Sequence, residues 1–249
     1  AISARGSVAT PPGARVIDIS GRTVMPGLID IHAHWNVRRD VLEPDGTNAY
    51  ANLAFGTTTV RDPQSSPDIF TYADMADAGD FPSPRIFSTG PGVFSITDFH
   101  SLDEARAYLA RYSQDYGAGY LKSYLAGSRQ QRRWIADTSR EFGLLATTEG
   151  GADDKEDLTH AIDGYSGNEH ALPATPIYRD VVELFARSGI TYTPTLLVAC
   201  GGALPTYREH LQERPIDDAR LRRFFPPDTL FDRTQTRLLA FPDEDYNDR

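Results

Sequence analysis

The run VMPGLIDIHAHW, Val24–Trp35, carries an apolar strand-like segment into two histidines one residue apart. Strand side chains alternate between faces, so His32 and His34 point the same way, with Asp30 one step deeper. Two imidazoles at a strand end can ligate a metal ion; the same pattern also arises as a pair of surface histidines. Pro26-Gly27 marks an abrupt entry, and Leu28, Ile29 and Ile31 suit a buried parallel sheet. Three further groups stand at comparable places: Lys122 in YLKSYL, Glu149 in LLATTEGG and His170 in GYSGNEH. A buried lysine is costly unless paired or neutral. A neutral lysine amine can take up carbon dioxide as a carbamate, an anionic oxygen ligand able to bridge two metals, and an arginine cannot. Of 25 basic residues only Lys122 and Lys155 are lysine, so Lys122 is conspicuous. The other reading of Lys122 is a side chain that snorkels out at the strand end.

Positioning these groups requires strands that end together. After the histidine strand come GTTTVRD (Gly56–Asp62), PRIFSTG (Pro84–Gly90), GYLKSYL, LLATTEGG, GYSGNEH and ITYTPTLLVA, each strand-like. Between them lie helix-like runs: PDIFTYADMADAG, SLDEARAYLARYSQDYG with a capping-box pattern at Ser101 and Glu104, SRQQRRWIADTSREFG, Lys155–Ile162 and PIYRDVVELFARSG. Alternation of this kind predicts parallel strands joined by right-handed crossover helices. Seven strands between Gly27 and Ala199 give an α/β fold of the (β/α)8 TIM-barrel type, incomplete at strands 1–7. Catalytic groups of such barrels sit at the C-terminal strand ends, where His32, His34, Lys122, Tyr124, Glu149 and His170 all fall. Thr193 and Thr195 share a face of the seventh strand and would line the pocket, and Trp35 reads as either packing or a substrate wall. Asp62 faces the mouth, with structural use the better reading. His100 reads as a loop residue, and His160 and His210 as surface histidines on helices.

Both ends depart from the barrel pattern. Residues 1–26, with ARVIDISGRTVMP, read as the remnant of a small β-domain, and residues 27–199 as the barrel. Residues 200–249 read as a polar, mainly helical extension before a missing eighth strand. RLLAFPD (Arg237–Asp243) is a poor candidate for that strand, with Asp243 as a possible acid. An unclosed barrel leaves two edge strands unpaired, so the chain is expected to be a fragment and a poor catalyst by itself.

Composition narrows the function classes. Hydrophobic content of 40% and charged content of 24% describe a globular chain. A formal net charge of −10 argues against a nucleic-acid partner. The single cysteine, Cys200, excludes an internal disulfide framework and a cysteine-based zinc site. No apolar run approaches the roughly 20 residues of a membrane span, and the N-terminus shows no signal pattern.

The runs PGLIDIHAH, GTTTVRD, LKSY and EH followed by TPTL resemble the amidohydrolase superfamily of metal-dependent hydrolases, especially its imidazolonepropionase- and prolidase-like members. TTEGGADDKEDL, DGYSGNEHALP and DDARLRRFFP are closer to a bacterial subgroup whose amidohydrolase domain follows a β-propeller in one exported polypeptide. The resemblance implies a metal-activated water that hydrolyses a carbon–nitrogen bond of a small amide or peptide-like substrate, with one or two divalent ions, zinc by default. It implies that His32 and His34 bind the more buried ion, that carbamylated Lys122 bridges, and that His170 binds the second ion. Tyr124 would reach the substrate. Glu149 stands where the family usually has a histidine, and reads either as a substitute ligand or as a turn residue before Gly150-Gly151. The family's eighth-strand aspartate has no assigned counterpart. Two alternatives stay open: a non-catalytic binding barrel that has lost turnover, and a mononuclear metal-dependent deaminase, against which Lys122 counts.

Overall fold

The computed structural model describes residues 9–35, 46–64, 66–151, 153–195 and 212–234. Seven strands alternate with helices: β1 (Leu28–Asp30), α1 (Thr47–Ala54), β2 (Thr57–Asp62), α2 (Asp68–Ala78), β3 (Arg85–Ser88), α3 (Leu102–Gln114), β4 (Tyr120–Lys122), α4 (Arg129–Glu141), β5 (Leu145–Thr148), α5 (Asp154–Asp163), β6 (Gly167–Glu169), α6 (Arg179–Ser188) and β7 (Thr191–Thr193). A 3-10 turn at Pro215–Asp217 precedes α7 (Ala219–Phe224) and α8 (Pro227–Thr234).

All named strand pairs are parallel, in the orders β1-β2-β3 and β4-β5-β6-β7. The two runs meet through a parallel bridge between Val93 and Ser123, beyond the ends of β3 and β4. This is the parallel strand–helix succession expected of a partial barrel. Among the described residues no strand joins β7 to β1, and the candidate eighth strand, Arg237–Asp243, lies outside them.

Local chemistry explains the elements. Thr57, Thr58, Thr59 and Val60 are β-branched and favour the pleated backbone of β2. Ser101 caps α3 by accepting from Glu104 N–H, while the Glu104 carboxylate accepts from His100 N–H (2.8 Å). The full capping box is at α4, where Ser128 and Gln131 satisfy each other's backbone N–H groups. Gly27 lets β1 lie close on β2, because a Cβ there would collide with the Thr58 side chain.

Helices cover the outside and form two cores. Trp35, Ala49, Val60, Ile69, Tyr72 and Ile86 pack around the first sheet. Leu109, Tyr112, Leu121, Ile135, Ala146 and Phe185 are among the residues that pack around the second. The C-terminal extension returns to α1, with Phe224 of α7 6.5 Å from the Tyr50 ring and Arg220 over Phe55.

Three expectations are corrected. β1 is not buried: Leu28, Ile29 and Ile31 are exposed, because the strand lies at the edge of its sheet. Asp30 also does not share the face of His32: Ile29 and Ile31 line an open pocket while Asp30 lies on the other side, and alternation breaks after Ile31, where the Asp30 carboxylate accepts from His32 N–H (3.0 Å) and turns the chain. His160 is buried, not on the surface, with its ring against Tyr165 at 4.6 Å. Residues 9–26, the described part of the expected β-domain remnant, have no assigned strand and expose Val16, Ile17, Val24 and Met25. His100 lies in a loop, as expected, and is exposed, and His210 lies outside the described residues.

Candidate metal centre

The C-terminal ends of β1, β4, β5 and β6 bring five of the expected side chains together. His32 and His34 follow β1, Lys122 ends β4, Glu149 follows β5 and His170 follows β6. His32 Nε2 lies 3.2 Å from His34 Nε2 and 3.0 Å from Glu149 Oε1, and His34 Nε2 lies 3.4 Å from the same oxygen. Lys122 Nζ donates to Glu149 Oε1. His170 Nε2 stands 3.8 Å from Glu149 Oε2, with its ring 4.7 Å from that of His32.

These spacings fit a divalent ion. Metal bonds of about 2.0–2.1 Å in a tetrahedral site set neighbouring donors about 3.3–3.4 Å apart. The three edges of the His32–His34–Glu149 triangle are 3.2, 3.0 and 3.4 Å. The set combines two imidazoles with one carboxylate, a donor set that suits zinc.

Backbone devices aim the ligands. Asp62 is fully buried and accepts from Trp35 N–H (2.8 Å) and Ser88 Oγ–H (2.9 Å), which pins the chain just after His34. Asp62 thus faces the loop behind the histidines, its structural reading, and Trp35 is a core residue. Glu149 precedes a tight turn in which Gly150 has φ +73°, and Asp157 Oδ1 accepts from Gly151 N–H (3.0 Å). His170 takes φ +74°, a left-handed conformation uncommon outside glycine, and its N–H donates to Thr193 O (2.7 Å). Such strain is typical of functional positions. His170 Nδ1 is buried without a hydrogen-bond partner.

Charge concentrates at Glu149. Burial would raise its carboxyl, but hydrogen bonds from His32, His34 and Lys122 outweigh it and hold the group well below the usual carboxylate range. Burial also works against a charged His32, yet its bonds to Glu149 and Glu169 set its pKa above the ordinary histidine value. Burial pushes the Lys122 ammonium down, opposed by Glu149, and burial followed by the His32 charge pushes His170 down.

Two groups escaped sequence reasoning. Glu169, the last residue of β6, accepts from His32 Nδ1–H at Oε2 and from Arg61 Nη2–H at Oε1. The signal available was a charged residue in mid-strand: Arg61, one step from Asp62, must face the opposite side of β2, towards the interior. Arg61 and Glu169 lie among the lining residues of an otherwise mainly apolar pocket of about 290 Å³ that is open to solvent, together with Ile29, Phe87, Leu145 and Thr193. Of the expected substrate residues, Tyr124 lies near the cluster, with its ring centroid 5.6 Å from Lys122 Nζ and in an edge contact with Phe94. Thr195 lies past the end of β7, half buried, and the cavity lining stops at Thr193.

No family model matches the chain, and no curated protein does. Among solved structures, a bottromycin amidohydrolase superposes with a TM-score of 0.53 at 17% identity, covering 84% of this chain and 54% of that one. An N-acetyl-D-glucosamine-6-phosphate deacetylase from Mycobacterium smegmatis gives 0.46 at 16% identity, covering 82% and 60%. The chain therefore spans little more than half the length of these structures. The likeness rests on the first of them, and what it shows is a shared fold.

Proposed function

We propose that the chain carries the metal site of a hydrolase that cleaves a carbon–nitrogen bond in a small amide, cyclic amide or peptide-like molecule. The observation that carries this reading is the His32–His34–Glu149 triangle, whose donor spacings match one divalent ion at the C-terminal strand ends. The fold shared with a bottromycin amidohydrolase supports it. A bound divalent ion would supply an acidified water and a polarised carbonyl.

The chain's own residues divide the remaining work. His32, His34 and Glu149 hold the ion, zinc being the best match to two imidazoles and a carboxylate. Lys122 is set beside Glu149 and can serve in two ways. As a carbamate it would present oxygens towards a second ion faced by His170. As an ammonium it would stay paired with Glu149 and offer a positive charge to a substrate oxygen. The second use is a one-ion version, in which the Lys122–Glu149 contact stays an ion pair. Tyr124 and Phe94 form an aromatic wall beside Lys122, placed to contact the substrate.

The test is amine release from a panel of N-acyl amino acids, dipeptides and cyclic imides, before and after metal stripping. Activity lost on stripping and restored by zinc supports the reading. Turnover that survives complete removal of metal contradicts it. Retention of zinc with no turnover on any amide favours a binding barrel, and release of ammonia from amino-heterocycles alone favours a deaminase.

A further inference from the structure

The Glu169 carboxylate serves two donors, one at each oxygen: His32 Nδ1–H and Arg61 Nη2–H. All three side chains are sequestered, Glu169 at 3% exposure and the other two at 11%. The same guanidinium donates from Nε to Ile31 O (2.9 Å), the carbonyl just before His32, and from Nη1 to Thr147 Oγ1 (3.4 Å) on β5. One arginine thus holds the backbone entering His32, the carboxylate behind its ring and the strand that leads to Glu149.

We propose that Arg61 and Glu169 form a positioning pair that fixes the ring of His32, with Nδ1 turned inward and Nε2 left facing Glu149 and His34. The consequence for metal binding rests on the function proposed above; the ring orientation does not. A metal-ligating histidine is commonly held by a carboxylate on its other nitrogen, which fixes the tautomer and strengthens the ligand. Here the carboxylate is itself held by a fork-shaped cation, whose planar donors match three fixed acceptors in a way a lysine cannot. The arrangement also requires a carboxylate. A glutamine at 169 offers one acceptor and one NH2 group, so either His32 or Arg61 would face a donor. The competing account is an interior ion pair that merely fills space in the barrel. It predicts no dependence of the His32 ring on residue 169 beyond a loss of stability.

Two measurements on the full chain separate these accounts. The His32 Nδ1 proton is followed by NMR in metal-free protein labelled with 15N-histidine, assigned by its loss in His32→Gln. Zn2+ affinity is measured by competition with a chromophoric chelator. In Glu169→Gln the Nδ1 proton should exchange with solvent at least about tenfold faster, and Zn2+ affinity should fall about 10–100-fold, the usual cost of losing such a partner. Arg61→Lys should move both readouts in the same direction by less, and it carries the test if Glu169→Gln does not fold. An Nδ1 proton unchanged in both variants, or Zn2+ affinity unchanged in both, overturns the proposal. A parent chain that shows the protected Nδ1 proton but binds no Zn2+ leaves the positioning pair standing and removes the metal reading instead.

Discussion

Glu149 Oε1 lies 3.0 Å from His32 Nε2, so a carboxylate that closes β5 meets an imidazole that leaves β1 across the mouth of the strand array. That meeting turns Glu149 from a turn residue into the third corner of a donor triangle. Glu149→Gln keeps the shape of the side chain and removes its charge. Zn2+ affinity in this variant should fall by more than the roughly 10–100-fold that an outer partner costs. Chelator competition reads this directly, and an unchanged affinity would return Glu149 to the turn.

The turn after Glu149 should tolerate no side chain at position 150. Gly150 has φ +73°, and a Cβ there would lie 2.8 Å from Asp157 Oδ1. Left-handed backbone costs a residue with a Cβ about 1–2 kcal/mol, and the collision adds to it. Gly150→Ala should therefore lower the unfolding midpoint by several degrees and weaken Zn2+ binding together, because the turn aims Glu149. Thermal unfolding with and without Zn2+ checks both; an unshifted midpoint would show that the turn relaxes freely.

Buried His160 should make the fold acid-sensitive. Burial, helped by the Arg132 charge, lowers its pKa to about 4. The unfolded chain protonates this histidine near 6.5 and the folded chain does not until about 4, so stability present above pH 6.5 drains away as the pH falls to 4. The contribution is at most about 3–4 kcal/mol, since each pH unit separating the two protonation midpoints is worth about 1.36 kcal/mol. Asp157, pushed up to about 6, acts in the opposite direction over part of the same range. Comparing the parent with His160→Gln cancels the Asp157 share. The parent should lose stability relative to the variant between pH 6.5 and 4 in denaturant titrations, and parallel curves would contradict the assignment.

Lys122→Arg separates the two roles open to the lysine. A carbamate requires a nucleophilic amine, which arginine lacks, whereas a positive charge beside Glu149 survives the exchange. The one-ion version predicts that the variant keeps its metal and part of its activity. The two-ion version predicts loss of the second ion and of nearly all turnover. Metal content and amide hydrolysis, measured on the same sample, decide between them.

Periodicity carried the succession of strands and helices, because each element spends its hydrophobic face on a neighbour close in sequence. The histidine pair, Lys122, Glu149 and His170 were legible for a related reason: in a parallel barrel every strand end is a place for chemistry. What stayed hidden depended on distant partners. Arg61 and Glu169 meet across 108 residues, and each is an ordinary strand charge until the other is in place. His160 sits among Glu156, Asp157 and Asp163, a neighbourhood that reads as solvated, yet it packs against Tyr165. β1 reads as a buried strand and is exposed, since burial there depends on elements that no local pattern supplies.

The central claim is that His32, His34 and Glu149 hold a divalent ion. Its most direct test is the metal content of the chain after equilibration with Zn2+ and removal of excess by gel filtration, measured beside His32→Ala/His34→Ala. At least one ion per parent chain and close to none in the variant is the predicted result. No retained metal in the parent, or equal retention in both, would contradict the account.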